Sequence, residues 1–312
     1  MPTLRRTESR FVLAIVAFMA VVVTLGSALP ARPEVLEVPR PWPVPPIRPS
    51  MGIDRFAVDF IGRLGHDYST QLRFPFRYAR QRPGRFLLGT AGVLTLIVTD
   101  QWTYEALAPR AGQAENALVD PAARLSKWGG AHSAIPLVFG IGALGLLTDS
   151  RRERQTSVML LEALVSSATW TGVLKELSGR ERPRAREGSV AEWEGPSFLA
   201  DDYEAGDGLR SFPSGHATGI WAAATILAHQ YPAHRIVPVL AYGTATAMSY
   251  SRMVVGAHWL SDVVVGGLIG YGSARQVLSA HNSEYPAADT GGLALGMNVS
   301  GDYKGFTLRY DF

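Results

Sequence analysis

Six helix-length apolar segments dominate the middle of the chain and constrain its fold more than any other feature. They are rich in Gly, Ala, Ser and Thr and show few strand-like alternations, a composition typical of closely packed helices. The segments cover approximately residues 86–99, 134–147, 158–177, 217–231, 236–250 and 259–274. We therefore predict an all-α fold built as a helical bundle of about six core helices.

The segment lengths leave open whether this bundle is embedded in a membrane. Most segments run about 14 to 18 residues, whereas a bilayer span usually takes about 20. The mean hydropathy of +0.07 lies between the values usual for polytopic membrane proteins and for soluble enzymes. Membrane embedding is the favoured interpretation, and a soluble bundle is the alternative.

The N-terminus carries the pattern of an export signal. Basic residues precede an apolar run, in the order Arg5, Arg6, Arg10 and then Phe11 to Leu25. Small residues and a proline follow, so residues 1–29 are predicted to be a signal peptide or an N-terminal membrane anchor. The next segment, residues 30–53, is predicted to be a Pro-rich tether. Both alternatives place the protein in the cell envelope, membrane-associated or periplasmic, with its site on the extracytoplasmic side.

The remaining boundaries follow from periodicity. Residues 54–280 are predicted to form the helical domain, which begins with an amphipathic helix over about 54–72. Within this domain, residues 184–210 are acidic and without a clear period, so they are expected to form a long surface loop. Residues 281–312 are predicted to be a linker and an appended β-hairpin, because apolar and polar residues alternate along the final stretch.

The composition excludes several classes of protein. The chain has no cysteine, which removes disulfides, thiol catalysis and thiolate metal sites. Its 30 Lys and Arg and 27 Asp and Glu give a net charge of only +3, without the basic stripe of nucleic-acid-binding proteins. No carboxylate or histidine cluster stands at metal-ligand spacing. We therefore predict no nucleic-acid partner, and the residue spacing indicates no metal or other cofactor.

The first candidate cluster is Lys175-Glu-Leu-Ser-Gly-Arg-Glu-Arg182-Pro183, at the end of an apolar helix. Lys175 is expected on the last turns, and Arg182, which precedes a proline, is expected in extended backbone, so that both cations reach one point. Two fixed cations suit a phosphate group. The alternative is a pair of ordinary cations that the helix dipole favours at a C-terminus.

The second cluster, Ser211-Phe-Pro-Ser214-Gly215-His216, leads directly into a helix. The unpaired N–H groups of a helix start, with the Ser214 hydroxyl beside them, can bind anionic oxygens. His216 at the same turn is placed to protonate a leaving-group oxygen. The alternative is a helix N-cap provided by Ser214 or Ser211.

The third cluster is Ser251-Arg252-Met-Val-Val-Gly-Ala-His258-Trp-Leu-Ser-Asp262. If His258 and Asp262 share a helix face, the carboxylate can accept the Nδ1 proton and leave Nε2 free as a nucleophile. Arg252 would add a third cation to the same site. The alternative is a His–Asp pair that only caps a helix.

Together these residues resemble the three-part signature of the type 2 phosphatidic acid phosphatase superfamily, which is related to bacterial class A acid phosphatases and vanadium haloperoxidases. The signature lies within residues 175–262, in the family's order and with no position missing. The resemblance implies that His258 forms a phosphohistidine, that Asp262 orients it, and that His216 protonates the leaving group. It also implies a set of phosphate-binding residues, namely Lys175, Arg182, Ser214, Gly215 and Arg252.

These roles predict a metal-independent phosphomonoesterase or pyrophosphatase. Apolar helices and a tether favour a lipid phosphate or an isoprenoid pyrophosphate as substrate and a membrane as partner. A soluble periplasmic acid phosphatase of broad specificity is one alternative. A vanadium-dependent haloperoxidase is another, and only that alternative would require vanadate as a cofactor. A non-enzymatic envelope protein is a third, although the intact signature disfavours it.

Overall fold

The computed structural model describes residues 53–107, 119–129, 131–184, 192–196, 208–232, 236–284, 293–300 and 303–310. The predicted signal peptide or anchor and almost all of the predicted tether lie outside these residues, as does most of the acidic loop. The described residues form two units, Met1–Val277 and Leu278–Phe312, which divide the chain within its last helix.

Eight helices account for the described part of the first unit and for the start of the second. They are α1 (Ile53–Gln81), α2 (Pro83–Leu107), α3 (Val119–Lys127), α4 (Ala131–Leu147), α5 (Arg151–Ser178), α6 (Gly215–Gln230), α7 (Ile236–Val254) and α8 (Leu260–Glu284). The prediction of a helical fold is therefore confirmed for the described residues between 53 and 284.

All six apolar segments coincide largely with helices, but most of those helices are longer than predicted. Helix α2 has 25 residues and α5 has 28. The extensions carry polar residues such as Arg151 and Glu153, which a search for apolar runs does not count. Two of the described helices lie outside the six apolar segments. Helix α1 corresponds to the amphipathic helix predicted over about 54–72, and the nine-residue α3 was not predicted.

Packing of the first unit brings α2, α5 and α8 around one apolar cluster. Its buried members are Val93, Leu174, Phe212, Val265 and Ile269. Helix α6 packs against both α5 and α7. Helix α8 approaches α6 so closely that a Cβ at Gly270 would overlap the backbone of Thr218. This close approach agrees with the small-residue composition of the segments.

One described helix, Arg151–Ser178, is both long and apolar enough to cross a membrane. Of its most apolar stretch, 44% is buried inside the protein. Buried core helices of soluble proteins share these properties, so this helix alone does not decide between the two predicted environments.

The second unit contains two strands, β1 (Leu293–Ser300) and β2 (Tyr303–Tyr310). They pair antiparallel, with Leu293 opposite Tyr310 and Ser300 opposite Tyr303. The position of this pair as an element appended to the helical domain stays a prediction.

Candidate active site

The first cluster begins where α5 ends. Gly179 adopts the left-handed conformation (φ 52°) and donates its N–H to Lys175 O (3.3 Å), which closes the helix. The chain then leaves the helix, and Arg182 N donates to Gly208 O (3.0 Å). The extended conformation expected of the residue before Pro183 stays a prediction.

Part of the segment expected to be a surface loop is tied to the backbone that follows α5. Trp193 forms a bridge with Arg180, is half-buried, and packs edge-to-face on Phe212 with ring centroids 5.1 Å apart. Glu192 and Glu194 are exposed, as a surface loop predicts, whereas the aromatic side chain between them packs against the site.

Two backbone hydrogen bonds and one donated by a side chain join the three clusters to one another. They run from Ser211 N to Arg180 O (2.9 Å), from Ser214 N to Asp262 O (2.9 Å), and from Trp259 Nε1 to Glu181 O (2.8 Å). Each bond connects a different pair of clusters. Segments that are distant in sequence thus share one location at the adjacent ends of α5, α6 and α8.

His258 and Asp262 form the buried centre of this location. Their exposed fractions are 2% and 0%, and His258 Nδ1 lies 3.6 Å from Asp262 Oδ2. The expectation that both residues stand on one helix face is wrong, because His258 precedes α8 and Asp262 lies in its first turn. Asp262 also accepts from Trp259 N (2.8 Å), as in a capping box, so it caps the helix and faces the imidazole at once.

The environment of His258 keeps its imidazole neutral. Burial lowers the pKa of His258 to about 3, and the positive charges of Lys175 and Arg182 act in the same direction, whereas Asp262 opposes them. If the proton of the neutral imidazole is on Nδ1, the nitrogen that faces Asp262, then Nε2 is unprotonated. Nε2 can then attack an electrophile without first losing a proton to a base.

The loop that carries His258 depends on a glycine. Helix α7 ends at Val254, and Arg252 O accepts from both Ala257 N (3.0 Å) and His258 N (3.3 Å). Gly256 adopts φ 63°, and a Cβ there would lie 3.0 Å from the Tyr104 hydroxyl. This turn presents His258 beside α8.

Replacing Gly256 with alanine should lower the free energy of unfolding by about 1–2 kcal/mol, because the left-handed conformation is unfavourable for a residue with a Cβ. The expected fall in melting temperature is a few degrees in detergent. Gly92→Ala is the matched control, since it stands in helix α2 with open space around it, so its melting temperature should stay level or rise. A Gly256→Ala protein as stable as wild type would contradict the strained-turn argument.

Two of the three predicted cations lie near His258. Lys175 and Arg182 both act electrostatically on its imidazole. Arg182 donates to Ala257 O (3.1 Å), directly before the histidine, and Lys175 donates to Arg210 O. Arg252 instead donates a hydrogen bond to Ser126 on α3. This helix was not predicted from the sequence.

The second cluster starts α6 as predicted. Ser214 is the N-cap, with its hydroxyl accepting from Ala217 N (3.5 Å), which is the capping alternative. Gly215 lies beside Lys175, since a Cβ at this glycine would be 4.0 Å from Lys175 Cε. His216 is half-buried, and its ring lies so close to Gly129 that a Cβ there would overlap it.

Sequence reasoning missed the polar groups beneath the His–Asp pair. Arg180 and Asp100 are completely buried, and Ser211 donates to Asp262 Oδ2 (2.5 Å). Arg180 was visible within the first cluster, directly after a helix-ending glycine. Asp100 was visible as a lone carboxylate after an apolar run.

Among the described residues, no group of three or more His, Cys, Asp or Glu could hold a metal ion. The cations near His258 are instead suited to an anionic ligand. Independence from metals and cofactors stays a prediction.

Residues 156–285 match the family model described as the PAP2 superfamily. This segment contains all three clusters, so the match confirms the resemblance drawn from the signature.

Several individual proteins are similar to part of this chain. The chain is 29% identical over 150 residues to an undecaprenyl-diphosphatase from Sulfolobus acidocaldarius, covering 47% of this chain and 62% of that protein. It is 32% identical over 105 residues to a lipid A 4'-phosphatase from Helicobacter pylori, covering 32% of this chain and 46% of that protein. It thus spans between 46% and 62% of the length of these relatives. The crystal structure of Aquifex aeolicus LpxE aligns with a TM-score of 0.44 and 20% identity, covering 58% of this chain and 94% of that chain.

Proposed function

We propose that this protein is a phosphatase that hydrolyses a lipid phosphate or an isoprenoid diphosphate through a phosphohistidine on His258. The observation that carries the proposal is the buried, neutral His258 facing Asp262, with Lys175 and Arg182 close enough to act on its charge. This combination provides a nucleophile and an anion-binding environment at one point.

In the first step, His258 Nε2 attacks phosphorus. The N–P bond forms while the bond between phosphorus and the leaving oxygen breaks, and His216 gives that oxygen a proton. The imidazole retains its Nδ1 proton and gains positive character, which the Asp262 carboxylate stabilises. The present separation of 3.6 Å between Nδ1 and Oδ2 is expected to shorten when the site is occupied.

In the second step, water replaces the imidazole on phosphorus. His216, now neutral, takes one proton from the attacking water, and inorganic phosphate leaves with the oxygen of that water. Lys175 and Arg182 balance the charge on the phosphoryl oxygens during both steps. Ser214, Gly215 and Arg252 are proposed to complete the phosphate contacts.

A lipid substrate is supported by the surface of the helices. Large apolar side chains are exposed on α2 and α4, including Val98 (82%), Trp102 (70%) and Leu147 (86%). Exposed apolar side chains along the same helices suit contact with lipid chains. Two relatives are named for undecaprenyl diphosphate and lipid A, which are lipid-linked phosphates. We therefore place the protein at a membrane.

The same proposal retains the predicted organisation of the chain. Residues 1–29 would direct the protein to the envelope and residues 30–53 would tether it. Residues 54–280 would form the phosphatase domain, with its site on the extracytoplasmic side, and residues 281–312 would be an appended linker and β-hairpin.

The test is phosphate release by the full chain in mild detergent with EDTA present. Phosphatidic acid, an isoprenoid diphosphate and p-nitrophenyl phosphate are compared at equal concentration. We expect release that EDTA does not reduce, with kcat/KM for one of the lipids at least about tenfold above that for p-nitrophenyl phosphate, because remote apolar contacts contribute binding energy.

Other outcomes discriminate between the alternatives. Equal rates on all three substrates would contradict the lipid assignment and indicate a phosphatase of broad specificity. Release that EDTA abolishes would overturn the metal-independent mechanism. Absence of release from every substrate would overturn the phosphatase proposal.

A further inference from the structure

A buried arginine outside the family signature connects the His–Asp pair to a distant helix. Arg180 is 0% exposed, and its Nη1 donates to Asp262 Oδ1 (2.6 Å) while its Nη2 donates to Asp100 Oδ2 (2.6 Å). Asp100 lies in α2 and is also fully buried. One guanidinium therefore holds two carboxylates in the interior.

Ser261 closes this arrangement from the other side. Its hydroxyl accepts from Arg180 Nη1 (2.7 Å) and its backbone N–H donates to Asp100 Oδ1 (2.9 Å). Ser261 directly precedes Asp262. Asp100 therefore contacts the first turn of α8 twice, directly through Ser261 and indirectly through Arg180. The first turn of α8 is thus fixed to α2 by both main-chain and side-chain contacts.

The contacts of Asp262 leave its carboxylate a single orientation. Oδ1 is held by Arg180, and Oδ2 accepts from Ser211 Oγ (2.5 Å) and Trp259 N (2.8 Å). Rotation of the carboxylate would break three hydrogen bonds at once. In this orientation Oδ2 is the oxygen that faces His258 Nδ1.

The charges support the same conclusion. Two carboxylates and one guanidinium leave a net charge of −1 below a neutral imidazole, which complements the positive character that the imidazole gains on phosphorylation. Without the cation, Asp100 and Asp262 would face each other uncompensated, and two neighbouring carboxylates readily take up a proton. A protonated Asp262 would stabilise the imidazole less.

We propose that Arg180, braced by Asp100, is a positioning residue that fixes the Asp262 carboxylate against His258. This proposal rests on the phosphatase function proposed for the site. Arg180 also lies over the rings of Trp193 (4.6 Å) and Trp259 (5.5 Å), which holds the guanidinium in its plane. If Arg180 only filled space in the interior, it would not need ionic partners at both Asp100 and Asp262.

Two variants test the proposal. Arg180→Lys keeps the charge but loses the fork that reaches both carboxylates, so kcat on p-nitrophenyl phosphate should fall about 100-fold, as for a small misplacement of a catalytic group. Asp100→Asn keeps the shape and removes one charge, with an expected loss of about tenfold. In both, KM should stay within about threefold of wild type, because the phosphate-binding cations are unchanged.

The pH profile separates positioning from a purely structural role. The charged groups that act on the His–Asp pair are Arg180, Asp100, Lys175 and Arg182. Arg180→Lys should move the acidic limb of kcat/KM to higher pH, because the weaker cation contact lets the carboxylate pair bind a proton more readily. Asp100→Asn should not move the acidic limb to higher pH, because Asp262 then interacts with Arg180 without a competing carboxylate.

The control is Arg154→Met, which removes an arginine of α5 that forms an ion pair with Asp149 (2.8 Å). It lies about 30 Å from Lys175 along the helix axis, given a rise of 1.5 Å per residue. Its kcat and pH profile should match wild type. Folding of every variant is checked by circular dichroism and melting temperature.

A second readout does not depend on turnover. The ¹H–¹⁵N resonance of His258 Nδ1–H, identified by its loss in His258→Ala, is recorded with inorganic phosphate present. We expect a downfield proton in wild type that moves upfield in Arg180→Lys. If wild type hydrolyses no substrate, the phosphatase proposal fails. The resonance then still tests whether Arg180 positions Asp262 against His258.

The positioning proposal is overturned if folded Arg180→Lys and Asp100→Asn keep the wild-type kcat, pH profile and Nδ1–H resonance. It is equally overturned if the whole loss appears in KM, because Arg180 would then act on substrate binding and not on the His–Asp pair.

Discussion

Replacing His258 with alanine should reduce phosphate release by about 10⁴-fold or more, because the proposed reaction has no other nucleophile of comparable reactivity at this position. The side chain is nearly fully buried beside Asp262, so its removal also leaves a cavity below the phosphate site. The measurement is kcat on the best substrate of the panel, together with the melting temperature in detergent.

The matched control for this variant is His229→Ala. His229 lies in the last turn of α6 and is exposed, outside the proposed site. Its activity should equal that of wild type. In addition, a rapid acid-free quench should trap a phosphoryl group on nitrogen in wild type and not in His258→Ala. Release that persists in a folded His258→Ala protein would rule out the phosphohistidine.

The three clusters could be predicted from the sequence because each is short and local. A cation before a proline and a serine at a helix start have direct consequences for the local backbone. The His258–Asp262 spacing identified the right pair, although His258 precedes the helix. Their assembly into one site required the family resemblance. Neither spacing nor composition shows that Ser214 N meets Asp262 O.

The network below the site could not be predicted in the same way. Asp100 is 80 residues from Arg180 along the chain, and their contact depends on how α2 packs against α8. Local patterns contain no information on that packing. What the sequence does show is that a carboxylate follows a long apolar run, and a buried charge of this kind requires a partner.

The helix boundaries illustrate a similar limit. Apolar runs mark the buried or lipid-facing middle of a helix, whereas the polar ends are fixed by caps. Helix α5 ends at Ser178 because Gly179 adopts a left-handed conformation, close to the predicted end at residue 177. Its start at Arg151, in a run of charged residues, had no apolar signal.

His216→Ala should reduce kcat by about 10²- to 10⁴-fold on a lipid phosphate, whose alcohol needs a proton to leave. On p-nitrophenyl phosphate the loss should be smaller, because p-nitrophenolate leaves without one. A dependence of this kind on the leaving group identifies a general acid, since a variant that was merely misfolded would lose both activities in proportion. The measurement is the ratio of the two kcat values in variant and wild type.

Gly129→Ala tests the role of His216 without replacing the histidine itself. A Cβ at this position would overlap the His216 ring, so the ring has to rotate away while the rest of the site stays in place. We expect the same leaving-group dependence with a smaller loss, about tenfold on the lipid phosphate. The open-space variant Gly92→Ala serves as control. If His216→Ala lowered both activities equally, His216 would be a phosphate-binding or structural residue, and the proton of the leaving group would have to come from another group.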